Sequence, residues 1–209
     1  MIPLVVQEPI HDYIYLASQS PRRRQLLDQL GVRHELLLPS EDEDAEALEA
    51  ERRGEPPLEY VERVTRAKLQ AARLRLEHRK LPAAPILCSD TTVAIGRRLL
   101  GKPTDAAHAR SMLEQLSGRT HRVITAVALG WGERDEVAVN VSLVRFAPVT
   151  PDRIEAYVAS GEPFGKAGAY AIQSSAAAWI SHIEGSYSGI MGLPLYETAE
   201  LLRHAGVRF

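Results

Sequence analysis

Arg22, Arg23 and Arg24 follow Ser18-Gln19-Ser20-Pro21, and their charge sits where a helix least favours it. Ser20 is an N-cap residue type and Pro21 suits the first helical position, so the arginines fall in the first turn. Cations there oppose the helix dipole by roughly 0.3–1 kcal/mol each, and free backbone N–H groups point out of the same end. An anion would relieve the conflict, phosphate above all. The alternative is three solvated arginines on a surface helix, and charge alone leaves both open.

Other residues bear on the same chemistry. Asp90, in Ser89-Asp90-Thr91-Thr92, follows a short apolar run, the place where open α/β sheets bind ligands; the bland reading is a turn aspartate. Lys68 lies four residues after Val64 and seven after Val61, so it shares their helix face and either snorkels outward or reaches into a site. Gly96 to Lys102 has the G-x-x-x-x-G-K spacing of a phosphate loop, but Pro103 stands where Ser or Thr would bind magnesium. That excludes a true phosphate loop while leaving Lys102 free to meet an anion. Lys166 lies in a second glycine-rich loop, Gly161 to Ala169. The amide of Gln173 could read a base edge or be satisfied in the core. There is no H-x-x-x-H pair and no G-x-S-x-G elbow, which argues against zinc catalysis and a serine nucleophile. Cations, carboxylates, hydroxyls and an amide suit phosphate chemistry with a hard divalent ion, Mg²⁺ or Mn²⁺.

The elements that must position these groups alternate between helix and strand. Strands are expected at Tyr13–Ala17, Val32–Leu38 and Ile86–Cys88, then a hairpin over Val93–Leu100 and a long antiparallel pair over Arg119–Trp131 and Glu136–Phe146. Helices are expected from Pro21 to Leu30, closed by Gly31, and from Leu58 to about Arg79, Thr104 to Leu116, Pro151 to Ala159 and Pro194 to His204. Further β segments are expected around Ala176–Ile183 and Ser186–Met191. The acidic run Glu41-Asp42-Glu43-Asp44, continuing through Glu46, Glu49 and Glu51, reads as an exposed loop or marginal helix. The fold class is α/β with a mixed, partly antiparallel central sheet flanked by helices.

The chain has 209 residues, 45 % of them hydrophobic and 25 % charged, enough to bury a core without staples. A net charge of −2 makes the arginine cluster local and argues against a nucleic-acid partner. Cys88 is the only cysteine, so no internal disulfide forms and a reducing cytoplasm suits the chain. Met1 to Val6 is mildly apolar without a basic lead, and residues 1–12 read as an N-terminal extension of a domain over 13–209. No run is long enough to span a membrane.

Taken together, the motifs resemble the Maf family of nucleoside triphosphate pyrophosphatases. Leu16-Ala17-Ser18-Gln19-Ser20-Pro21-Arg22-Arg23 resembles its L-A-S-x-S-P-R-R. Ser89-Asp90-Thr91 resembles A-D-T, and Gly101-Lys102-Pro103 resembles x-K-P. Leu116 to Val127 resembles L-S-G-x-x-H-x-V-x-T-A-V, Lys166 to Gln173 resembles K-A-G-x-Y-x-I-Q, and Gly192-Leu193-Pro194-Leu195 completes the set. The resemblance implies an ITPase-like fold of two lobes around a cleft, and hydrolysis between the α and β phosphorus atoms. It also implies a divalent cation, a homodimer and a link to septum formation.

The Gln173 ending is similar to the dTTP/UTP-directed branch, with a 7-methyl-GTP pyrophosphatase or a cell-division regulatory binding protein as alternatives. By the resemblance Asp90 is the proton acceptor and a metal ligand. Arg22, Thr91 and Gln173 hold the specificity positions. Ser18, Arg23, Lys68, Lys102 and Lys166 bind phosphate. Glu43, which matches the family's glutamate after the second strand, is the other metal ligand, with Asp42 and Glu41 as alternatives. Arg24 has no motif counterpart and reads as solvated. Three departures stand out: Thr65-Arg66-Ala67-Lys68-Leu69 where the family has L-A-x-x-K-A, Gly165 where an aspartate often stands, and Ser174 in place of a glycine.

Overall fold

A computed structural model describes residues 11–40, 43, 44 and 46–209. Pro21 opens helix α1 (Pro21–Leu30), and Gly31 closes it in the left-handed conformation at φ 75°, which glycine adopts without strain. Ser20 holds the N-cap position, but its side chain makes no cap bond. Its backbone N–H donates instead to Ser18 Oγ at 3.2 Å. Helix α2 (Pro57–His78) also starts on a proline and buries Val61, Val64, Leu69 and Ala72, the stripe that the 3.6-residue period requires.

Among the described residues the sheet has seven strands. Strands β1 (Ile14–Leu16), β2 (His34–Leu36), β3 (Ile86–Ile95), β5 (Thr120–Trp131), β6 (Arg134–Phe146) and β7 (Ile180–Glu184) lie in the order β2-β1-β3-β5-β6-β7, and β4 (Arg98–Leu100) pairs with β3. β1 runs parallel to β2 and β3, and the remaining pairs are antiparallel. The sheet is therefore mixed, as the segment pattern requires. The remaining helices are α3 (Ala106–Leu116), α4 (Pro151–Ala159), α5 (Tyr187–Met191) and α6 (Leu195–His204).

Three expectations are corrected. The second strand shrinks to His34–Leu36. Residues 175–179 form a 3-10 turn ahead of β7. Ser186–Met191 is not a strand: Ser186 Oγ accepts from Gly189 N and Gly192 closes the turn at φ 116°, giving the short helix α5. A serine cap and a glycine stop outweigh the β propensity of so short a segment.

The pairing register creates the site. β5 takes one edge of β3 from Ile86 to Ala94. On the other edge β1 pairs Ile86 and Leu87, and β4 pairs Val93 to Ile95. Among the described residues no strand lies beside Cys88–Thr92 on that edge, so the sheet has a gap there.

Strand alternation divides the interior at the same level. Along one face β3 presents Leu87, Ser89, Thr91 and Val93, and β5 presents Val123, Thr125 and Val127. Leu87 and Val127 join a core with α1 and α6. Val93 and Val123 join a second core with α3, α4 and Trp179. Buried Ser89 and Thr125 and half-buried Thr91 lie between them. This polar seam separates two lobes. On the opposite face α2 packs against Cys88, Ala94 and Ala126. The C-terminus ties back to the start of the described chain through a bridge between His11 and Val207; residues 1–10 of the expected extension lie outside the described residues.

Candidate active site

A cleft of about 1150 Å³ opens at the gap, and every candidate residue lines it: Ser18, Arg22, Arg23, Glu43, Lys68, Asp90, Thr91, Lys102, Lys166 and Gln173. Asp90 is not past the end of its strand, as expected, but in the middle of β3. It lies beyond the end of β1 instead, because β3 outruns its parallel neighbour.

Asp90 is buried and faces α2, where Lys68 Nζ donates to its Oδ1 at 2.6 Å. The same ammonium donates to Glu49 Oε1 at 2.6 Å, and Lys102 Nζ donates to Glu49 Oε2 at 2.7 Å. Lys68 therefore reaches into the site rather than snorkelling. Burial alone would lower its pKa, but the charges of Asp90 and Glu49 outweigh burial and hold it above the ordinary lysine value. Burial likewise works to raise the Glu49 pKa, and Lys68 and Lys102 overcome it and bring it down.

Glu43 lines the same cleft but is held by Arg75 rather than by Lys68. Arg75 takes both its carboxylate oxygens, at 2.6 to 3.0 Å, and also donates to Leu37 O at 2.8 Å. This bidentate grip holds the Glu43 pKa at about 2. The carboxylate beside Lys68 is Glu49, which motif alignment missed; the alternatives Asp42 and Glu41 lie outside the described residues. Chain length does not single it out: Lys68 lies about 16 Å along α2 from Pro57, a distance that roughly five extended residues retrace, so Glu43, Glu46, Glu49 and Glu51 are all within reach.

The other wall of the cleft carries positive charge. Arg23 Nε donates to Gly192 O at 2.8 Å and Nη1 to Ser18 Oγ at 3.1 Å. Burial lowers the pKa of Arg23 and of Arg22. Lys166 is lowered by burial and then by Arg22, and its ammonium donates to Glu162 O. This wall is short of negative charge, the condition an anion would relieve. Arg24 is exposed.

Hydrogen-bond direction fixes Thr91. Thr125 Oγ1 donates to Gly189 O at 2.7 Å and lies 2.9 Å from Thr91 Oγ1. The Thr125 proton being spent, Thr91 donates to Thr125 and keeps its lone pairs for the cleft. Gln173 is exposed rather than satisfied in the core. Beyond it Ser174 Oγ donates to Ala171 O at 2.8 Å. Gly168 must be glycine: its φ is 68°, and an added Cβ would lie 2.9 Å from the Val93 side chain.

The comparisons with known proteins agree with this arrangement. The family model described as "Maf-like protein" matches residues 13–205. A protein of Polaromonas sp. strain JS666 named "dTTP/UTP pyrophosphatase" is 63 % identical over 200 residues, covering 96 % of this chain and 99 % of that protein. One of Burkholderia pseudomallei with the same name is 62 % identical over 203 residues, covering 96 % and 97 %. The solved Staphylococcus aureus Ham1 protein is 13 % identical over 65 % of this chain and 72 % of its own, with a TM-score of 0.40, too distant to bear on the chemistry. With ordered motifs lining one cleft and a family match over almost its full length, this chain belongs to the Maf family.

Proposed function

We propose that the chain is a nucleoside triphosphate pyrophosphatase that hydrolyses dTTP and UTP to the monophosphate and pyrophosphate. The observation that carries this reading is identity above 60 % over nearly the whole length of proteins bearing that name. The charge layout of the cleft supports it. Arg23 and Lys166 meet the triphosphate, whose negative charge they lack, with Arg22 beside them at a specificity position. Lys68 and Lys102 stabilise charge developing on the leaving pyrophosphate. With Oδ1 held by Lys68, Asp90 takes the proton of the attacking water on its other oxygen. Thr91 accepts from the base and Gln173 reads its edge.

The donor set fits a hard divalent cation, Mg²⁺ or Mn²⁺. Asp90 and Glu49 already share one positive charge, the Lys68 ammonium, and such ions are held by one or two carboxylates with substrate phosphates. Glu43 does not share a donor with Asp90: Arg75 takes both its oxygens, as Lys68 and Lys102 take those of Glu49, and what favours Glu49 is its place beside Asp90 on the Lys68 ammonium. When bound, the ion neutralises phosphate charge. Association into a homodimer is proposed on the family resemblance alone, and sedimentation tests it. Among the described residues no helix is long and apolar enough to cross a membrane.

A nucleotide panel with Mg²⁺ or Mn²⁺, including 7-methyl-GTP, tests the reading. Pyrophosphate release fastest from dTTP and UTP is expected. Orthophosphate as the first product, or a preference for 7-methyl-GTP, overturns it.

A further inference from the structure

Glu49 reaches the cleft on the chain between β2 and α2, which lies antiparallel along α2. Carboxylates of that segment meet cations of the helix in reverse order. Arg75 takes Glu43 at 2.6 Å, Lys68 takes Glu49 at 2.6 Å, and Arg63 takes Glu55 through two bonds at 2.6 and 2.7 Å. Glu43, Glu49 and Glu55 are thus each tied to a cation of α2.

The main chain at Glu49 is held as closely as its side chain. Its N–H donates to Glu46 O at 2.9 Å in the 3-10 turn Ala47–Glu49. Its carbonyl accepts from Tyr60 Oη at 2.9 Å, and the next carbonyl, of Ala50, accepts from Arg63 Nη2 at 2.9 Å. Tyr60 is fixed by packing with Val61 and Val64. Arg63, braced by Glu55, lies 5.5 Å over the Tyr60 ring. Both anchors stand on a rigid helix, whereas Glu49 stands on one short turn. A site group held this way takes its accuracy from its supports.

We propose that Tyr60 and Arg63 are positioning residues that set the Glu49 carboxylate between Lys68 and Lys102 by holding the carbonyls of Glu49 and Ala50. The inference rests on the pyrophosphatase reading for its kinetic consequence and on geometry for its structural one. Tyr60→Phe removes one anchor. Arg63→Lys keeps the charge but lacks the fork that spans Glu55 and Ala50.

The test measures kcat and KM for both variants in the wild-type and Glu49→Gln backgrounds. In the wild-type background kcat falls about 3- to 10-fold with KM within about twofold, and in the Glu49→Gln background the same changes alter kcat by less than about twofold, the non-additivity expected of residues acting through one group. Losses that multiply in both backgrounds, or kcat unchanged in the wild-type background, overturn the proposal. Amide hydrogen exchange at Glu49 to Glu51 is the second readout: faster exchange in both variants is expected, and unchanged protection overturns the proposal. If the wild-type chain releases no pyrophosphate, the functional reading falls by itself, and exchange alone decides the positioning claim. Exchange also decides if Glu49→Gln leaves no measurable turnover.

Discussion

The Lys68 ammonium, on α2, lies 2.6 Å from Oδ1 of Asp90, on β3. Helix and strand are joined at the middle of the cleft by this one ion pair, and Glu49 leans on the same nitrogen. One half-buried cation thus keeps two carboxylates from facing each other unshielded.

Lys68→Met removes that shield. Two partly buried carboxylates lose their shared donor, and stability should fall by about 1–3 kcal/mol, read from urea unfolding at neutral pH. Adding Asp90→Asn should recover part of the loss, because one stranded charge disappears. A Lys68→Met protein as stable as the wild type would show that the ion pair contributes nothing.

Asp90→Asn keeps the shape of the side chain and removes its capacity to take a proton. Turnover should drop about 10²- to 10⁴-fold with an unchanged circular dichroism spectrum. Normal turnover would place the base elsewhere.

Arg23 and Arg24 are neighbours in sequence with opposite expectations. Arg23→Lys preserves charge, but a lysine cannot bond Gly192 O and Ser18 Oγ through a planar fork. KM for dTTP should rise about 10-fold, a cost of about 1.4 kcal/mol. Arg24→Lys, on an exposed side chain, should change KM by less than about twofold, since isolated surface charges contribute little. Equal effects at the two positions would refute the assignment.

Acid should unfold the protein through two windows. Burial lowers the His121 pKa from 6.5 to about 4, so the unfolded chain binds a proton first and stability declines as pH falls from about 6.5 toward 4. Arg75 lowers the Glu43 pKa from 4.5 to about 2; its contribution is present above pH 4.5 and is lost toward pH 2. In urea titrations across pH, His121→Gln should flatten the upper window and Glu43→Gln the lower one. A wild-type slope unchanged by either substitution would overturn the assignment of that window.

Periodicity and stop signals in the sequence were enough to locate most elements. The 3.6-residue stripe of α2, Pro21 and Gly31 around α1, and the alternation of β5 and β6 act within a few residues, and local sterics and amphipathic burial decide them. Motif order also picked out residues that the fold brings to one cleft, from Ser18 to Gln173. Ser186–Met191 went the other way because a serine cap and a glycine at positive φ override the propensity of a short segment.

Tertiary structure alone decided which carboxylate faces Lys68. Glu43 and Glu49 belong to one acidic run and are chemically equivalent in the sequence. Arg75 claims the first and Lys68 the second, because contacts with α2 pin the returning segment, Tyr60 at Glu49 and Arg63 at Ala50 and Glu55. The gap at Cys88–Thr92 was likewise invisible, since it depends on where β1 and β4 end against β3, a register set by packing between distant segments.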